Sequence, residues 1–353
     1  MSDAEKPNAT QAEATSTKPR RRGCLGHCAR FWWAYLIALI VVIVVVVPVI
    51  LLVAVPKIAQ KKLDEAELTL DGLTVTQTTP TQMLMSLNST IRTDGSVHAN
   101  IAGFEGIMYL EDLEPRTPFA RIQFPPTTAA ALQTVNVTQT LTIHDVAALT
   151  TFNTWLANNE TVRVTVEGDT TVRVRGIARN YGVTFKKTLT LAGLNKLAGT
   201  RVEPTLISLT PDANGNNFRA TVYIPNPSVV SIELGNITFR NYLLGQEVGT
   251  IFLDNLTLRP GTNVHPMRAT IENGPVIAAL GSKPFCEEGG VLPFEFSGES
   301  VVNNGEPLPY FADALKTFNQ TTEIPIGAQV KKDLDVTIPC GGLGGGNNEE
   351  EED

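Results

Sequence analysis

The hydrophobic pattern divides the chain into one unbroken apolar run and a long region of alternation. The run, at residues 31–55, reads FWWAYLIALIVVIVVVVPVILLVAV and contains no charged residue. As an α-helix rising ~1.5 Å per residue it covers ~37 Å, more than the ~30 Å hydrocarbon core of a bilayer. A core helix is seldom apolar on every face over such a length, and no small-residue cleavage site follows. The pattern predicts a transmembrane helix.

Beyond residue 63 apolar residues alternate with polar ones, which is typical of strands with one buried face. The clearest stretch, TVRVTVEGDTTVRVRG from Thr161, is predicted to form a β-hairpin that turns at Glu-Gly-Asp. Two stretches have helical spacing instead, at 145–158 with Asp145 as N-cap, and at 309–319. The region is therefore predicted to be mainly β with short helical inserts.

A weak internal repeat suggests the domain organisation. The segments that begin at Val97 and Val229 share strand, turn, Tyr-Leu, polar break, strand and terminal Pro at similar spacing. We expect two tandem β-sandwich modules, at 63–200 and 201–340. A basic, polar head at 1–30 is predicted to be disordered, and an acidic, Gly-rich tail at 341–353 to be flexible.

Charges beside the apolar run predict its orientation. Basic residues are more numerous before it (Lys18, Arg20, Arg21, Arg22, Arg30) than after it (Lys57, Lys61, Lys62), which predicts a cytosolic N-terminus and a luminal or extracellular C-terminus. Asn-X-Ser/Thr sequons beyond the run agree with this topology, whereas Asn8 should stay unmodified. The candidate N-glycosylation sites are Asn88, Asn136, Asn159, Asn236, Asn255 and Asn319.

The four cysteines fall on the two sides of the span. Cys24 and Cys28 lie beside a basic cluster, where palmitoylation is predicted, with inert thiols as the alternative. Together with His27 they would leave a tetrahedral metal site incomplete, so no metal is predicted. Cys286 and Cys340 share the oxidising side, and one disulfide between them is predicted.

Charge and motifs narrow the function classes. The net charge of −8 excludes a nucleic-acid partner held by backbone phosphates. No phosphate-binding loop or dinucleotide fingerprint is present, and His98, His144 and His265 belong to no catalytic motif. No catalytic residue and no cofactor is predicted, although a hydrolase with a site assembled from distant residues stays a third hypothesis. The lipid bilayer is the expected partner, and protein partners are unknown.

Residues 218–264, FRATVYIPNPSVVSIELGNITFRNYLLGQEVGTIFLDNLTLRPGTNV, resemble the late-embryogenesis-abundant type 2 module, also called the water-stress and hypersensitive-response domain. In that module a strand runs into an Asn-Pro turn and returns. The whole layout, with basic head, single span and tandem modules, is similar to a family of fungal vacuole-type membrane proteins of unknown function. This resemblance favours a vacuolar membrane, with the cell surface as the alternative. The first repeat departs from the module because it lacks the Asn-Pro turn.

The resemblance implies that the modules hold a hydrophobic ligand between their sheets. We therefore expect a membrane-anchored, non-catalytic protein that binds or transfers lipid, with a structural or adaptor ectodomain as the alternative. Pro225 and Pro227 end a strand in either case, because proline fixes φ and lacks a backbone donor. The inward positions expected to line an apolar groove are Phe218, Val222, Ile232, Leu234, Phe239, Ile251 and Leu253.

Overall fold

The computed structural model describes residues 24–317 and 319–341, and the chain divides into two compact units, up to Lys57 and from Ile58 onward. In the first unit helix α1, Cys24–Val49, continues through a π-helical turn, Ile50–Ala54, into α2, Val55–Glu65, most of which belongs to the second unit. The segment Trp32–Glu65 is long and apolar enough to cross a membrane. The predicted apolar helix is therefore confirmed, whereas most of the predicted head and tail lies outside the described residues.

The second unit is mainly β, as predicted. Its shorter helical segments are α3 Val146–Asn158, a 3₁₀ turn Asn195–Leu197, α4 Asn273–Leu280, α5 Pro309–Leu315 and α6 Ile326–Leu334. Its strands are β1 Glu67–Thr76, β2 Gln82–Arg92, β3 Ala99–Ile101, β4 Phe104–Leu110, β5 Ala120–Phe124, β6 Thr127–Thr128, β7 Leu132–Thr142, β8 Thr161–Val174, β9 Tyr181–Ala192, β10 Arg201–Ile207, β11 Phe218–Asn226, β12 Val230–Leu243, β13 Gln246–Leu258, β14 Gly261–Ile271, β15 Val291–Asn303, β16 Glu306–Pro307 and β17 Asn319–Pro325.

The strands form two sheets. The larger follows the order β10-β11-β14-β13-β12-β1-β2-β7, with β15 pairing β12, β16 and β17. The smaller follows β5-β4-β8-β3-β6, with β9 pairing β8. Inward apolar side chains of both sheets pack into one large buried cluster. The first part of the unit is thus a two-layer sandwich.

The larger sheet crosses the boundary predicted between the two modules. Strand β1 pairs with β12 in parallel, with Leu73 opposite Val230 and Val75 opposite Ile232, whereas the other strand pairs of the described chain are antiparallel. This seam joins the first strand after the apolar helix to the C-terminal half. The larger sheet is therefore continuous across residue 200, and the division into two modules at that point stays a prediction.

The hairpin predicted at Glu-Gly-Asp is wrong. Strand β8 runs without a turn from Thr161 to Val174, and its hairpin partner is β9, with Glu167 opposite Lys186. Glu167 also pairs with Ile107 of β4, so this stretch lies in the middle of the sheet. A Cβ at Gly168 would overlap the carbonyl oxygen of Glu105. Glycine therefore allows β4 to approach and does not mark a turn.

Local signals placed helix α3 correctly. The Asp145 carboxylate accepts a hydrogen bond from Ala148 N at 2.9 Å, which satisfies one of the free donors of the first turn. Leu149, Phe152 and Leu156 form its buried side. Helix α5 ends at Leu315, earlier than the predicted 319, and Phe318 lies outside the described residues.

Strand β11 continues through Pro225, which lies opposite Thr262 of β14, so the prediction that this proline ends the strand is wrong. The turn follows at residues 227–229 and is closed by the buried side chain of Asn226. Strand β11 ends at Asn226 and β12 begins at Val230. The Asn226 amide donates to Val230 O at 2.9 Å and accepts from Ser228 N at 2.9 Å. Proline supplies the fixed φ, and asparagine supplies the hydrogen bonds that the backbone cannot make with itself here.

A disulfide joins Cys286 and Cys340, whose Cα atoms lie 5.3 Å apart. It links the loop after α4 to the segment after α6. The backbone bond from Gly341 N to Gly281 O, 2.9 Å long, lies beside it. The end of the described chain is thereby held against the β region.

Candidate ligand-binding cavity

An apolar cavity of about 160 Å³ lies between the two sheets, in the half of the unit nearer the apolar helix in sequence. Its walls are formed mainly by residues between Ala59 and Leu191, together with Val230, Ile232 and Phe311. An engineered cavity of ~150 Å³ lined by aliphatic and aromatic side chains stays dry and binds benzene. The cavity is therefore large enough to hold an apolar group.

Period-two alternation along β2 builds one wall. Met83, Met85, Leu87, Ser89 and Ile91 all line the cavity, and the residues between them point away from it. Methionine side chains are unbranched and adapt to irregular shapes. Ser89 is satisfied by donating to Val135 O at 3.0 Å, so this wall presents an essentially apolar surface.

Aromatic rings form the opposite wall. Phe104 of β4 stacks on Phe124 of β5 with ring centroids 5.1 Å apart, and it also contacts Phe185 of β9 at 5.3 Å. At the end of the cavity near α3, Phe119 stacks on Phe152 with centroids 4.1 Å apart. Rigid rings of this kind keep a cavity open, because they cannot collapse into the space as flexible side chains do.

The other end of the cavity is closed by the last turns of α2. Ala59 and Leu63 pack against Ala99, Val172 and Val183, a small cluster separate from the main core. Here the wall becomes polar. Lys62 Nζ lies 2.6 Å from Asp94 Oδ2, and this hydrogen bond lowers the pKa of the Asp94 carboxyl.

One charged residue lies within the inward row of β9. Its inward positions are Tyr181, Val183, Phe185, Lys187, Leu189 and Leu191, and the last four line the cavity. Lys187 Nζ donates to Asp64 O at 2.8 Å and to Ala66 O at 2.5 Å. Burial lowers the pKa of this ammonium, and the charge of Asp64 opposes that shift.

Of the residues predicted to line a groove, Ile232 lines this cavity. All seven are buried. Phe218 borders a second apolar space of about 110 Å³ and, with Ile251, one of about 10 Å³. Val222, Leu234, Phe239 and Leu253 belong to the packed core. The cavity thus lies mainly among residues the prediction did not name, in the repeat that lacks the Asn-Pro turn.

The predicted glycosylation sites lie at the surface. Asn88, Asn136, Asn159, Asn236 and Asn255 are exposed, and the side chain of Asn319 is outside the described part. Asn88 and Asn136 are directly opposite each other across β2 and β7. Asn255 N donates to Asn236 Oδ1 at 2.9 Å, so these two sites are also neighbours. The side chains of the predicted palmitoylation sites, Cys24 and Cys28, are not described either.

Within residues 24–317 and 319–341, no group of three or more His, Cys, Asp or Glu side chains could hold a metal ion. His265 Nε2 lies 2.8 Å from Asp254 O, an ordinary surface contact. The most perturbed buried group is the phenol of Tyr310, whose pKa is raised by burial and which donates to Thr79 O at 2.8 Å. These groups hold the fold together and face no common cleft.

The helix, the two sheets and the cavity define a β-rich protein with one apolar helix near its N-terminus and an apolar space between its sheets. Residues 117–241 match the family described as Protein of unknown function (DUF3712). The matched range includes α3, β8 and β9, and therefore a large part of the cavity wall, Lys187 included. No curated protein matches the chain.

Solved structures show only distant similarity. A red sea bream transglutaminase aligns at 11% identity and TM-score 0.23, over 72% of this chain and 31% of that one. An adhesin from Mobiluncus mulieris aligns at 9% identity and TM-score 0.18, over 66% and 80%. The CupB6 tip adhesin from Pseudomonas aeruginosa aligns at 11% and 0.19, over 73% and 98%. The chain spans under a third of the transglutaminase, and such TM-scores define neither a shared fold nor a shared function.

Proposed function

We propose that the chain is a single-pass membrane protein whose β region binds or transfers lipid, or another apolar ligand, without transforming it. The observation that carries the proposal is the cavity between the sheets, walled by methionine, aliphatic and aromatic side chains. Dispersion contacts with a ligand add to the packing of the side chains that line this space. Each CH₂ group of a ligand buried there contributes about 0.8 kcal/mol.

The position of the cavity along the chain supports a lipid as the ligand. The uncharged apolar run of the sequence ends at Val55, and the first cavity-lining residue, Ala59, follows four residues later on the same continuous helix. A chain anchored in a bilayer meets lipid at high local concentration, because the tether confines it there. Membrane lipid is thus the apolar ligand most readily supplied.

The finer assignments belong to the same proposal. The basic residues before the helix favour a cytosolic N-terminus, and the exposed sequons suit N-glycosylation of a luminal or extracellular β region. The resemblance to the late-embryogenesis-abundant type 2 module and to fungal vacuole-type membrane proteins favours a vacuolar membrane, with the cell surface second. The same resemblance also favours a lipid as the ligand.

Photolabelling of the full chain tests the function directly. The chain is reconstituted into nanodiscs that contain a phospholipid with a diazirine on its acyl chain, irradiated, and mapped by peptide mass spectrometry. We expect adducts on the peptides of β2 and β9, in addition to the unavoidable adducts on the apolar helix, which serve as an internal standard. Leu87→Trp, at a buried cavity-lining position, should reduce the β2 and β9 adducts strongly.

The matched control is Leu84→Trp, three residues earlier on the same strand but on its outward side. This variant should label as the wild type does. Wild-type chain labelled only on its apolar helix would contradict lipid binding. It would leave a structural or adaptor ectodomain as the better hypothesis.

A further inference from the structure

Lys187 differs from every other residue in the inward row of β9. Its neighbours on that face are aromatic or aliphatic, whereas it carries a charge into the wall of an apolar cavity. The adjacent Lys186 points outward and pairs with Glu167 at 3.1 Å. Consecutive lysines thus have opposite surroundings, and the inward one needs an explanation, because burying a charge is costly unless it is paired.

The ammonium of Lys187 is only partly satisfied by the protein. A lysine ammonium has three N–H donors, and two of them are taken by Asp64 O and Ala66 O. Within the described residues no carboxylate oxygen lies within 4.0 Å of Nζ; Asp64 acts on it through a longer-range charge interaction. One donor and most of the positive charge therefore remain available at the cavity wall.

We propose that Lys187 binds the acidic headgroup of the ligand, a carboxylate or a phosphate, while the acyl chain of that ligand occupies the cavity. This inference rests on the proposed lipid-binding function and narrows the ligand to lipids with an anionic oxygen. Charge-assisted hydrogen bonds are the strong ones, and they are stronger still away from bulk water. Nearby Lys62 is already paired with Asp94, which leaves Lys187 as the cation for the ligand.

A purely structural role makes a different prediction. The carbonyl groups of Asp64 and Ala66 lie at the end of α2, and a lysine that binds them also stabilises a helix C-terminus. If that were the whole role, removing the charge would alter stability but would not change which lipids enter the cavity. Headgroup selectivity therefore separates the two roles.

The experiment uses the full chain in phosphatidylcholine nanodiscs and four photoactivatable probes with the same diazirine acyl chain. A fatty acid is compared with its methyl ester, and phosphatidate is compared with diacylglycerol. Adducts on the β2 and β9 peptides are divided by adducts on the apolar helix. In the wild type at least one acidic probe should label the cavity about tenfold more than its neutral counterpart. The pair in which the acidic probe is preferred shows whether the bound headgroup is a carboxylate or a phosphate.

Lys187→Met should bring that ratio close to one while leaving neutral-probe labelling unchanged, and Lys187→Arg should retain the preference. Lys186→Met, which removes the outward neighbour, should behave as the wild type. An acid preference that survives in Lys187→Met, or that is missing from the wild type, would overturn the proposal. Loss of neutral-probe labelling in Lys187→Met would assign the lysine to packing alone and also overturn it. A cavity that no probe labels would refute the lipid-binding function itself.

Discussion

Replacing Asn226 by alanine should destabilise the β region substantially. This residue is 2% exposed, and its amide makes both hydrogen bonds that close the Pro-Asn-Pro turn, to Val230 O and from Ser228 N. Each bond contributes about 0.5–1.5 kcal/mol, and each buried partner left unsatisfied costs about 1–3 kcal/mol. We expect a loss of about 2–4 kcal/mol in the free energy of unfolding, a large part of the ~5–15 kcal/mol of an ordinary domain.

The assay is urea unfolding of the full chain in detergent micelles, followed by the β-sheet circular dichroism signal, with hydrogen exchange of the turn peptide as a local readout. Asn100→Ala, at an exposed position on β3, is the matched control and should change little. Asn226→Asp should also destabilise at neutral pH, because it buries a carboxylate beside the Val230 carbonyl. Burial raises the folded-state pKa of such a carboxyl. The stability that Asn226→Asp loses relative to the wild type should therefore become smaller as pH falls, because the protonated acid can again donate a hydrogen bond.

The result that refutes this reasoning is an Asn226→Ala chain whose unfolding free energy lies within about 0.5 kcal/mol of the wild type, the range typical of surface substitutions. The turn would then be maintained by its prolines and by the bond from Val230 N to Ser228 Oγ, which is 3.3 Å long. Faster exchange at the turn without a change in global stability would show that the side chain supports only the turn itself.

Three further outcomes are expected. Cys286→Ser should lower the free energy of unfolding by about 2–4 kcal/mol, and peptide mapping without reductant should recover the bridged pair in the wild type. The backbone N–H of Asn216 and the guanidinium of Arg219 hold the pKa of Asp212 at about 2. Asp212 therefore stabilises the fold at pH values above the ordinary pKa of an Asp carboxyl, and this stabilisation is lost as pH falls through about 2. Asp212→Asn should remove this pH dependence from the free energy of unfolding in acid. Glycosidase treatment should reduce the mass of the β region, and a glycan on Asn8 would reverse the topology.

Local and compositional signals predicted part of the fold. The apolar run needs no partner to be a helix, and Asp145 caps α3 with its own side chain, so sequence alone places both. The Glu-Gly-Asp stretch failed because Gly168 serves the approach of β4, a strand about 60 residues earlier in the chain. A single sequence does not distinguish a glycine that permits a turn from a glycine that permits another strand to pack closely.

Of the seven residues predicted to line an apolar groove, the cavity between the sheets includes Ile232, and its other lining residues were not named. The alternation of apolar and polar residues shows which side chains share a face of a strand. It does not show whether that face packs against other side chains or lines a cavity. Val222 and Leu253 meet protein, whereas Met85 and Leu87 border the cavity. Lys187 did carry a signal, because a lysine interrupts the apolar alternation of TFKKTLTLAG at an inward position. That Lys187 lines a cavity becomes apparent only in the structure, where the larger sheet packs opposite β9.

The parallel seam between β1 and β12 also has a consequence for the order of synthesis. Strand β1 is among the first parts of the β region to be made, but its partner at Val230 follows about 150 residues later, roughly 8–30 s at ordinary elongation rates. During that interval one edge of β1 has no strand to bond. The nascent sheet therefore exposes an unpaired strand edge until β12 has been synthesised, and such an edge can pair with other chains.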